Sequence, residues 1–476
     1  MIATTTRTAA YIGELPNHVT YTKLERARAI ATYCQRLRRP FLLAATALAT
    51  LSAGSAQTTT TFVPFNEFVQ GVKATDAAEL FARPAARVTD TSSVSEMQQH
   101  LLKLYQGVNV SHSYVLDPQT IDCVPANEQP SVRTLGLKQI AAAPPSSALA
   151  SPAGANGASK FAALPQLPAG KTTDGFGNAL GCEAGTIPMR RITLDQMSHF
   201  KTLKEFFEKG PNGSGQAPEP AKASLVTPST YAHKYGFTYQ YVNNLGDNTN
   251  INLWRPYIYT DINEVFSLAQ SWTIGYSSGP MQTAEVGWQN YPARTGTESS
   301  TIFIYYTADG YNNTGCYDLT CGAFVQVNNT YAFGVPFAPQ YYSVPDGAQS
   351  ELPLQFYLYQ GNWWLAVNGT WIGYYPGTLY GGGQLANYSN LLEFGGESVG
   401  LTVWPAEGSG LWASDGWTNS AYQRELWYRD LSGGTVWDTL TADQPSPACY
   451  SVTNPAYASN WGTYFFFGGP GGASCQ

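Results

Sequence analysis

The C-terminal half of this sequence predicts an all-β fold, an antiparallel sandwich or barrel, and the N-terminal half predicts a mixed α+β region before it. Three observations carry the prediction. Short strand-like segments follow one another from about Ala223 onward, turn residues separate them, and no helical pattern lies between them. Hydrophobic residues make up 43% of the 476 residues and aromatic residues 13%, so a sizeable core can form.

The N-terminal half contains one clear helical pattern and two polar stretches. Apolar residues recur at helical spacing over Ser95–Tyr105. The Ala/Pro/Ser/Gly composition of Ala141–Gly170 predicts a loop or linker, because such a stretch has too little apolar surface to offset its ordering entropy. A second stretch, Gly210–Pro220, predicts an exposed boundary open to proteolysis.

The strand segments of the C-terminal half are β-branched and aromatic. Thr301–Tyr306 has this character throughout, and Leu354–Tyr359, Trp363–Val367 and Thr370–Tyr375 predict a meander of three strands. The meander's second turn is Asn368-Gly369, a strong signal for a two-residue hairpin.

The start of the chain predicts a signal peptide over residues 1–56. Three arginines, Arg36, Arg38 and Arg39, precede the apolar run Phe41–Leu51, which ends in small residues up to Ala56. The run is too short to span a bilayer. The n-region, about forty residues long, is much longer than usual. We therefore expect a secreted, extracellular protein with no stable membrane anchor after processing.

The cysteines agree with export. Of seven, Cys34 lies in the segment that cleavage would remove, and the remaining even number predicts disulfides. Sequence order favours three pairs, one of fifteen possible connectivities. These pairs are Cys123–Cys182, Cys316–Cys321 and Cys449–Cys475. Zinc is the less favoured alternative, because there are no CxxC pairs and no nearby histidines.

Composition excludes several kinds of function. The net charge is -7 with no basic stripe, so we expect no nucleic-acid partner. The sequence contains no histidine beyond His233 and no lysine beyond Lys234, which argues against a Ser-His-Asp, Cys-His or zinc site in the C-terminal half. Phosphate-loop and dinucleotide fingerprints do not occur. We predict no cofactor and no metal, and proton chemistry carried by carboxylates.

Glutamates in two strand-like motifs are the candidate carboxylates. Glu285 lies in QTAEVGWQ, and Glu393 and Glu397 bracket Phe-Gly-Gly, where alternate positions share one face of a strand. Glycines beside them would let a substrate approach closely, and aromatic surroundings would raise a carboxyl pKa. A solvated strand face and a β-bulge are the structural alternatives. Two carboxylates also suit glycoside hydrolysis.

The same motifs resemble the neprosin family of glutamic peptidases, in the same order along most of the chain. Gly181–Arg191 reads GCEAGTIPMRR, similar to that family's CPxGTIPIRR segment. Ten motifs carry the resemblance: Thr120–Val124 with Gln129-Pro130, Gly181–Arg191, Asn252–Pro256, Glu285–Gln289, Tyr306–Tyr311, Thr314–Cys321, Gly361–Leu365, Ile372–Pro376, Glu393–Glu397 and Phe467–Gly471.

The resemblance implies a β-sandwich peptidase released from a precursor. It implies a propeptide over 57–215, containing the 141–170 linker, that inhibits a peptidase domain over 216–476. The implied enzyme is a glutamic endopeptidase that cuts proline-containing peptides and proteins at proline in acid, and we expect it to be monomeric. Glu285 matches the first catalytic glutamate. The second lies in the Glu393–Glu397 motif, where Glu397 is favoured and Glu393 is the reserve. The pairs Cys316–Cys321 and Cys449–Cys475 also fit the family's peptidase domain.

Polar and aromatic neighbours are expected to help bind substrate. Gln289 and Tyr305 or Tyr306 are predicted to assist the reaction. Aromatic rings pack well on proline, so three tryptophans are predicted to line its pocket, although burial in the core is the alternative for each. These are Trp288, Trp363 and Trp364.

Two features of the sequence depart from the family or leave another class open. Glu407-Gly-Ser-Gly410 stands where plant relatives tend to have MGSGH, and the histidine is missing. Trp363-Trp364 would also suit a lectin-like sandwich that binds glycans without catalysis, and a two-carboxylate glycoside hydrolase is a third alternative.

Overall fold

The computed structural model describes residues 62–116, 118–152, 181–210, 231–276 and 279–475, together with the backbone of 162–163. All of these belong to one structural unit, Thr59–Gln476. The predicted signal peptide, residues 1–56, lies outside the described residues, as does the predicted domain boundary at 215/216. Among the described residues, no helix is both long and apolar enough to cross a membrane.

The described α-helices are short and belong mainly to the N-terminal region. They are α1 Phe65–Ala74, α2 Ala77–Phe81, α3 Thr91–Leu104, α4 Pro130–Thr134, α5 Leu194–Ser198, α6 Leu203–Phe207 and α7 Pro292–Thr295. The 3₁₀ turns are Ala126–Glu128, Ser146–Leu149, Thr260–Ile262, Pro339–Tyr341, Gly377–Tyr380, Gln384–Ala386, Ala413–Asp415 and Ala473–Cys475.

Strands make up most of the rest. They are β1 His112–Leu116, β2 Gln119–Pro125, β3 Ala162–Ala163, β4 Thr186–Arg190, β5 Ala232–Asn244, β6 Asp247–Asn252, β7 Glu264–Gly275, β8 Gln282–Asn290, β9 Thr301–Thr307, β10 Cys316–Tyr317, β11 Val325–Gln326, β12 Ser350–Tyr359, β13 Asn362–Val367, β14 Thr370–Pro376, β15 Ser389–Gly400, β16 Ala421–Arg429, β17 Thr435–Trp437, β18 Thr441–Asp443, β19 Ser451–Val452, β20 Ala456–Ala458 and β21 Gly462–Gly468.

Two large antiparallel sheets pack face to face. The seven-stranded sheet has the order β10-β9-β8-β7-β15-β5-β18. The eleven-stranded sheet follows β11-β14-β13-β12-β6-β16-β21-β19, with β17, β20 and the parallel strand β3 attached at its sides. One hydrophobic cluster takes side chains from both sheets and from helices α1–α3. The predicted antiparallel β-sandwich with a mixed α+β region before it is confirmed.

Local sequence accounts for several of these elements. The helix α3 covers the predicted helical pattern and begins at Asp90, whose side chain accepts a hydrogen bond from the Ser93 N–H at 2.7 Å. The turn between β13 and β14 places Asn368 at φ 48° and Gly369 at φ 70°. Both values lie in the left-handed region that a primed hairpin turn requires. The predicted meander β12–β13–β14 is therefore present.

The N-terminal region is attached to the sandwich by a small sheet and by side chains that reach strand edges. Strands β1, β2 and β4 form a three-stranded sheet. From this region, Gln129 exchanges two hydrogen bonds with the backbone of Gln326, at 2.7 and 2.9 Å. Gln119 donates to the carbonyls of Thr295 and Gly334, at 2.8 and 2.7 Å. These contacts satisfy backbone groups of the sandwich that strands leave open.

The expected disulfides are all formed. Cys123–Cys182 joins β2 to the segment before β4, Cys316–Cys321 closes a short loop, and Cys449–Cys475 ties the C-terminus to the sandwich. Cross-links of this kind occur in oxidising compartments.

Candidate active site

Glu285 and Glu397 lie on the same sheet, two strands apart. Glu285 is in the middle of β8 and Glu397 is in β15, and β7 runs between these strands. Both side chains are fully buried. Each is on the outer face of the seven-stranded sheet, because the residues next to Glu285, Ala284 and Val286, belong to the core between the sheets.

A lysine from the N-terminal region joins the two carboxylates. The Nζ atom of Lys209 lies 2.6 Å from Oε2 of Glu285 and 2.7 Å from Oε2 of Glu397. The lysine side chain is completely buried, and its ammonium also lies 5.0 Å from the centre of the Trp272 ring. One ammonium therefore forms an ion pair with each of the two carboxylates and lies between one oxygen of each.

Each glutamate also has its own hydrogen-bond partners. Oε1 of Glu285 accepts from the hydroxyls of Tyr311 and Thr283, both at 2.7 Å. Oε1 of Glu397 contacts Nδ1 of His233, and Oε2 accepts from Gln270 Nε2 at 3.3 Å. These contacts fix both carboxyl groups in position while leaving one oxygen of each directed at the ammonium.

The electrostatics follow from this arrangement. Burial alone raises the pKa of Glu397, but the charges of Lys209 and His233 outweigh it, and the pKa lies below the ordinary value. Burial lowers the pKa of Lys209, but the two carboxylates outweigh it and raise the pKa above the ordinary value. The ionised carboxylate of Glu397 and the charged ammonium of Lys209 are thus both favoured in this centre.

The backbone of the segment that carries Lys209 is hydrogen-bonded to side chains of the sandwich. The carbonyls of Phe207 and Lys209 accept from the hydroxyls of Tyr305 and Tyr317, both at 3.2 Å. The carbonyl of Glu208 accepts from the Arg294 guanidinium at 3.4 Å. Three successive carbonyls, beginning at the last residue of α6, are bound in this way, as those of a bound peptide would be.

Gly210 completes the fit at the end of this segment. A Cβ atom at this position would lie 2.7 Å from Nε2 of His233, so a larger residue would displace the imidazole that contacts Glu397. The sequence Lys209-Gly210 therefore matches both the charge of the two glutamates and the space beside His233.

An open cleft lies beside Tyr311, whose hydroxyl donates to Glu285. It is lined by residues of α6, by Tyr305 and Tyr311, and by the loop 312–315. A second groove shares Thr314 with this cleft and extends to the glycine-rich loop 381–383.

The structure separates the predicted helper residues. Gln289 and Tyr305 are on the same face as Glu285, and Gln289 donates to the Tyr317 hydroxyl at 3.1 Å. Tyr306 faces the other way, and its ring lies 5.4 Å from that of Tyr375. Glu393 is buried on the carboxylate face, four residues along β15 from Glu397, and Lys209 bridges Glu285 to Glu397.

The three tryptophans are not brought to the carboxylates. Trp288 is three residues from Glu285, so it projects from the opposite face of β8, and its indole N–H donates to the Asn252 carbonyl in the core. Trp363 is in the same core. Trp364 is on the outer face of the eleven-stranded sheet. Strand alternation thus corrects the expectation that these rings line one pocket, and it separates Trp363 from Trp364.

Sequence reasoning missed Lys209, His233 and Tyr311 as members of this centre. The only sequence signal for His233 and Lys209 was that histidine and lysine are scarce, and that these two residues lie near the predicted domain boundary. Lys209 is 76 residues from Glu285, so no local pattern joins them. Among the described residues, no group of three or more His, Cys, Asp or Glu side chains has an arrangement that could hold a metal ion.

Fold and site together define an antiparallel β-sandwich protein with a buried centre of two glutamates. The model of the neprosin family matches residues 263–470, a span that contains both glutamates. This match confirms the predicted resemblance to the neprosin family over that span. It is consistent with a peptidase-type hydrolase.

Proposed function

We propose that this chain is the secreted zymogen of an acid-acting glutamic endopeptidase that cleaves at proline, with Glu285 and Glu397 as its catalytic pair. The observation that carries the proposal is the Lys209 ammonium, which lies between the two carboxylates at 2.6 and 2.7 Å. A buried cation from an N-terminal segment is ion-paired with both carboxylates and fills the space where a substrate and water would react.

Inhibition follows from occupancy and charge. With Lys209 in place, neither carboxylate can accept a proton from water, because both are engaged with the ammonium. The segment Phe207–Gly210 also occupies the carbonyl-binding side chains Tyr305, Arg294 and Tyr317. Activation therefore requires this segment to leave, and a cut within 211–220 would free it.

After Lys209 leaves, two carboxyl groups remain in a buried centre, and one of them keeps its proton. His233 contacts Glu397, and a protonated imidazole in acid would favour the ionised form of that glutamate. Glu397 is then the general base that takes a proton from water as the water attacks the scissile carbonyl. Glu285 hydrogen-bonds the carbonyl oxygen as a neutral acid and then gives its proton to the leaving nitrogen.

Acid dependence is expected from the same chemistry. When both glutamates are ionised, no proton is available for the leaving nitrogen, so activity should fade as the pH rises towards neutrality. The three disulfides support secretion. N-terminal sequencing of protein exported by a eukaryotic host would test the predicted signal-peptide cleavage after Ala56.

The full precursor, incubated at about pH 3–5 where carboxyl groups titrate, provides the test. Proline-containing peptides are added and the fragments are identified by mass spectrometry, beside Glu285→Gln, Glu397→Gln and Glu393→Gln. We expect the first two substitutions to lower kcat by roughly 10²–10⁴-fold, the range of general acid–base catalysis. Glu393→Gln should retain activity.

Other outcomes discriminate between the alternatives. Loss of activity with Glu393→Gln but not with Glu397→Gln would move the second role to Glu393. Activity lost with a chelator would contradict a two-glutamate mechanism. Sugar release without peptide cleavage would favour a glycoside hydrolase, and glycan retention that survives both catalytic substitutions would favour a lectin.

A further inference from the structure

A second segment of the N-terminal region covers the opposite side of the sandwich. There the outer face of the eleven-stranded sheet carries Tyr357, Trp364, Trp371 and Tyr374, which we call the aromatic face. The rings of Trp364 and Tyr374 are 4.7 Å apart, and those of Tyr357 and Trp371 are 6.4 Å apart. This face is directed away from the glutamates, because the core lies between the two sheets.

The segment Leu135–Pro152 lies on the aromatic face. Its Ala141 N–H donates to the Tyr374 hydroxyl at 3.1 Å. The carbonyl of Ala148 accepts two hydrogen bonds, from Gln355 at 2.9 Å and from Arg429 at 2.8 Å. Arg429 is held in turn over the Tyr357 ring at 4.6 Å. The contacts are therefore specific main-chain contacts and not only apolar coverage.

The composition of this segment matches that of a polyproline-type ligand. Pro144, Ala148 and Pro152 are buried, and the residues between them are mostly exposed. Pro145 has φ -64° and ψ 153°, and Ala150 has φ -72° and ψ 130°, close to polyproline II values, and these two residues flank the 3₁₀ turn Ser146–Leu149. Residues 139–152 contain no charge. Aromatic grooves bind proline-rich chains because such chains lose little entropy on binding.

The aromatic face also holds donors that the segment leaves unused. The indole N–H groups of Trp364 and Trp371 are buried and have no hydrogen-bond partner within the described part of the chain. An indole N–H is a donor only, and a peptide carbonyl is its natural acceptor. The face can therefore make more hydrogen bonds to a peptide than its present occupant accepts.

We propose that the aromatic face is an exosite for extended, proline- and alanine-rich segments of protein substrates, and that residues 135–152 occupy it in the precursor. The role in catalysis rests on the proposed function, because release of the N-terminal region would uncover this face and the glutamates together. Binding of a peptide to the face does not depend on catalysis.

The exosite would act only on long substrates. A polyproline II chain advances about 3.1 Å per residue, so a substrate needs many residues to extend from the aromatic face around the sandwich to the glutamates. A substrate held at both places gains effective concentration at the catalytic centre. A short peptide cannot reach both places, and its cleavage should not depend on the aromatic face.

Binding is measured first, on full-length protein with Glu285→Gln to prevent cleavage. The probe is a fluorescein-labelled peptide of residues 138–152, followed by anisotropy. Pro144→Asp with Ala148→Asp in the chain should displace its own segment, which hydrogen exchange of β13 and β14 reports. We expect the displaced chain to bind the peptide at least tenfold more tightly than the chain with its native segment. Adding Gln355→Leu should weaken that binding.

A control peptide with aspartate at positions 144, 145 and 148 should not bind. If hydrogen exchange shows that the segment is displaced and the native peptide still does not bind, the proposal is overturned. Retention of a soluble glycan without peptide binding would overturn it in favour of a sugar-binding face.

Kinetics then test the role in catalysis with acid-matured enzyme. The free 138–152 peptide should raise KM for a long proline-rich protein several-fold, and should leave the kinetics of a short proline peptide unchanged. Peptide binding with no change in KM for the long substrate would overturn the exosite role. Failure of the proposed function would instead appear as no cleavage of the short peptide.

Discussion

The two sheets of the sandwich carry opposite chemistry on their outer faces, and each is covered by a matching piece of the N-terminal region. The seven-stranded sheet presents carboxylates and receives the ammonium of Lys209. The eleven-stranded sheet presents indole and phenol rings and receives the segment Leu135–Pro152, which carries no charge from residue 139 onward.

This difference shows two ways in which a segment of the N-terminal region can be matched to the sheet face that it covers. On the carboxylate face, the buried ion pairs of Lys209 supply most of the free energy that holds the N-terminal segment, so their loss should destabilise the precursor strongly. On the aromatic face, the free energy is divided among many weak contacts, so the loss of any one should have a small effect. The substitutions below test this contrast, from the largest expected effect to the smallest.

Lys209→Met should destabilise the precursor most. Removing one partner of a buried ion pair costs about 3–5 kcal/mol, because the carboxylates of Glu285 and Glu397 are left without a counter-charge. The pKa of Glu397 lies below 4.5 in the fold, so the pair's contribution is present above that pH and is lost as the pH falls through the lower folded value. The cost should therefore shrink in acid. Urea unfolding at pH 7 and pH 3 measures it.

Lys204→Met is the matched control in the same segment. The Lys204 side chain is 65% exposed and its ammonium lies 3.7 Å from Glu208, so water remains around this ammonium and the pair should contribute little. Equal losses for the two lysines would contradict a special role for the buried ammonium.

The fold was largely predictable from the sequence, but the contacts between the N-terminal region and the two sheet faces were not. Asn368-Gly369 specifies its own turn, and strand motifs with two-residue alternation were enough to place Glu285 and Glu397 on strands. Whether a tryptophan points into the core depends on which face of its strand is packed against the other sheet. The sequence of a single strand does not determine that face. The contacts of Lys209 and Ala148 join residues 76 and 207 positions apart. No local pattern encodes them.

The 141–170 linker also shows that local sequence cannot predict long-range contacts. Its composition predicted a loop, and residues 141–152 contain only one short 3₁₀ turn, Ser146–Leu149. Further along the same linker, Ala162–Ala163 form the two-residue strand β3, which composition did not predict. Composition also implied that such a stretch has too little apolar surface to become ordered. Pro144 and Ala148 are nevertheless buried, because the apolar surface is supplied by Trp364 and Tyr374 of the opposing sheet.

Asp247→Asn tests the buried hydrogen bonds that connect the two sheets. Asp247 belongs to the eleven-stranded sheet and accepts from Ser271 and Thr273 of the other sheet. Burial raises its pKa from 3.8 to about 6. The folded protein keeps this proton in a range where the unfolded chain has lost it, so stability falls as the pH rises through that window.

Asparagine cannot titrate, so the variant should lose less stability between pH 3.5 and pH 7 than the parent, by roughly 3 kcal/mol. Chemical denaturation at several pH values gives the difference. Asp438 adds charge beside Asp247 and also has a raised pKa, first through burial. Asp261→Asn, at an exposed turn, is the control and should leave the slope unchanged.

Gly395→Ala tests how closely the strands of the carboxylate sheet approach. A Cβ atom there would lie 2.4 Å from the Gly236 carbonyl oxygen and 2.5 Å from the Phe237 Cα, both backbone atoms that cannot move easily. Overpacking of this kind typically costs about 1–3 kcal/mol. Gly71→Ala in helix α1 meets no atom within 4 Å and should raise the melting temperature instead. A stable Gly395→Ala would show that β5 and β15 can separate.

Tyr311→Phe should have the smallest effect and is the sharpest test of the carboxylate face. The phenol donates to Oε1 of Glu285 at 2.7 Å, and Thr283 donates to the same oxygen at the same distance. One of two donors to a charged group contributes about 1.5 kcal/mol, so kcat should fall roughly tenfold. Steady-state kinetics on a short proline peptide measure this change in kcat. Tyr306→Phe, on the opposite face of β9, should leave kcat unchanged, and an equal fall there would mean that the two faces are not independent.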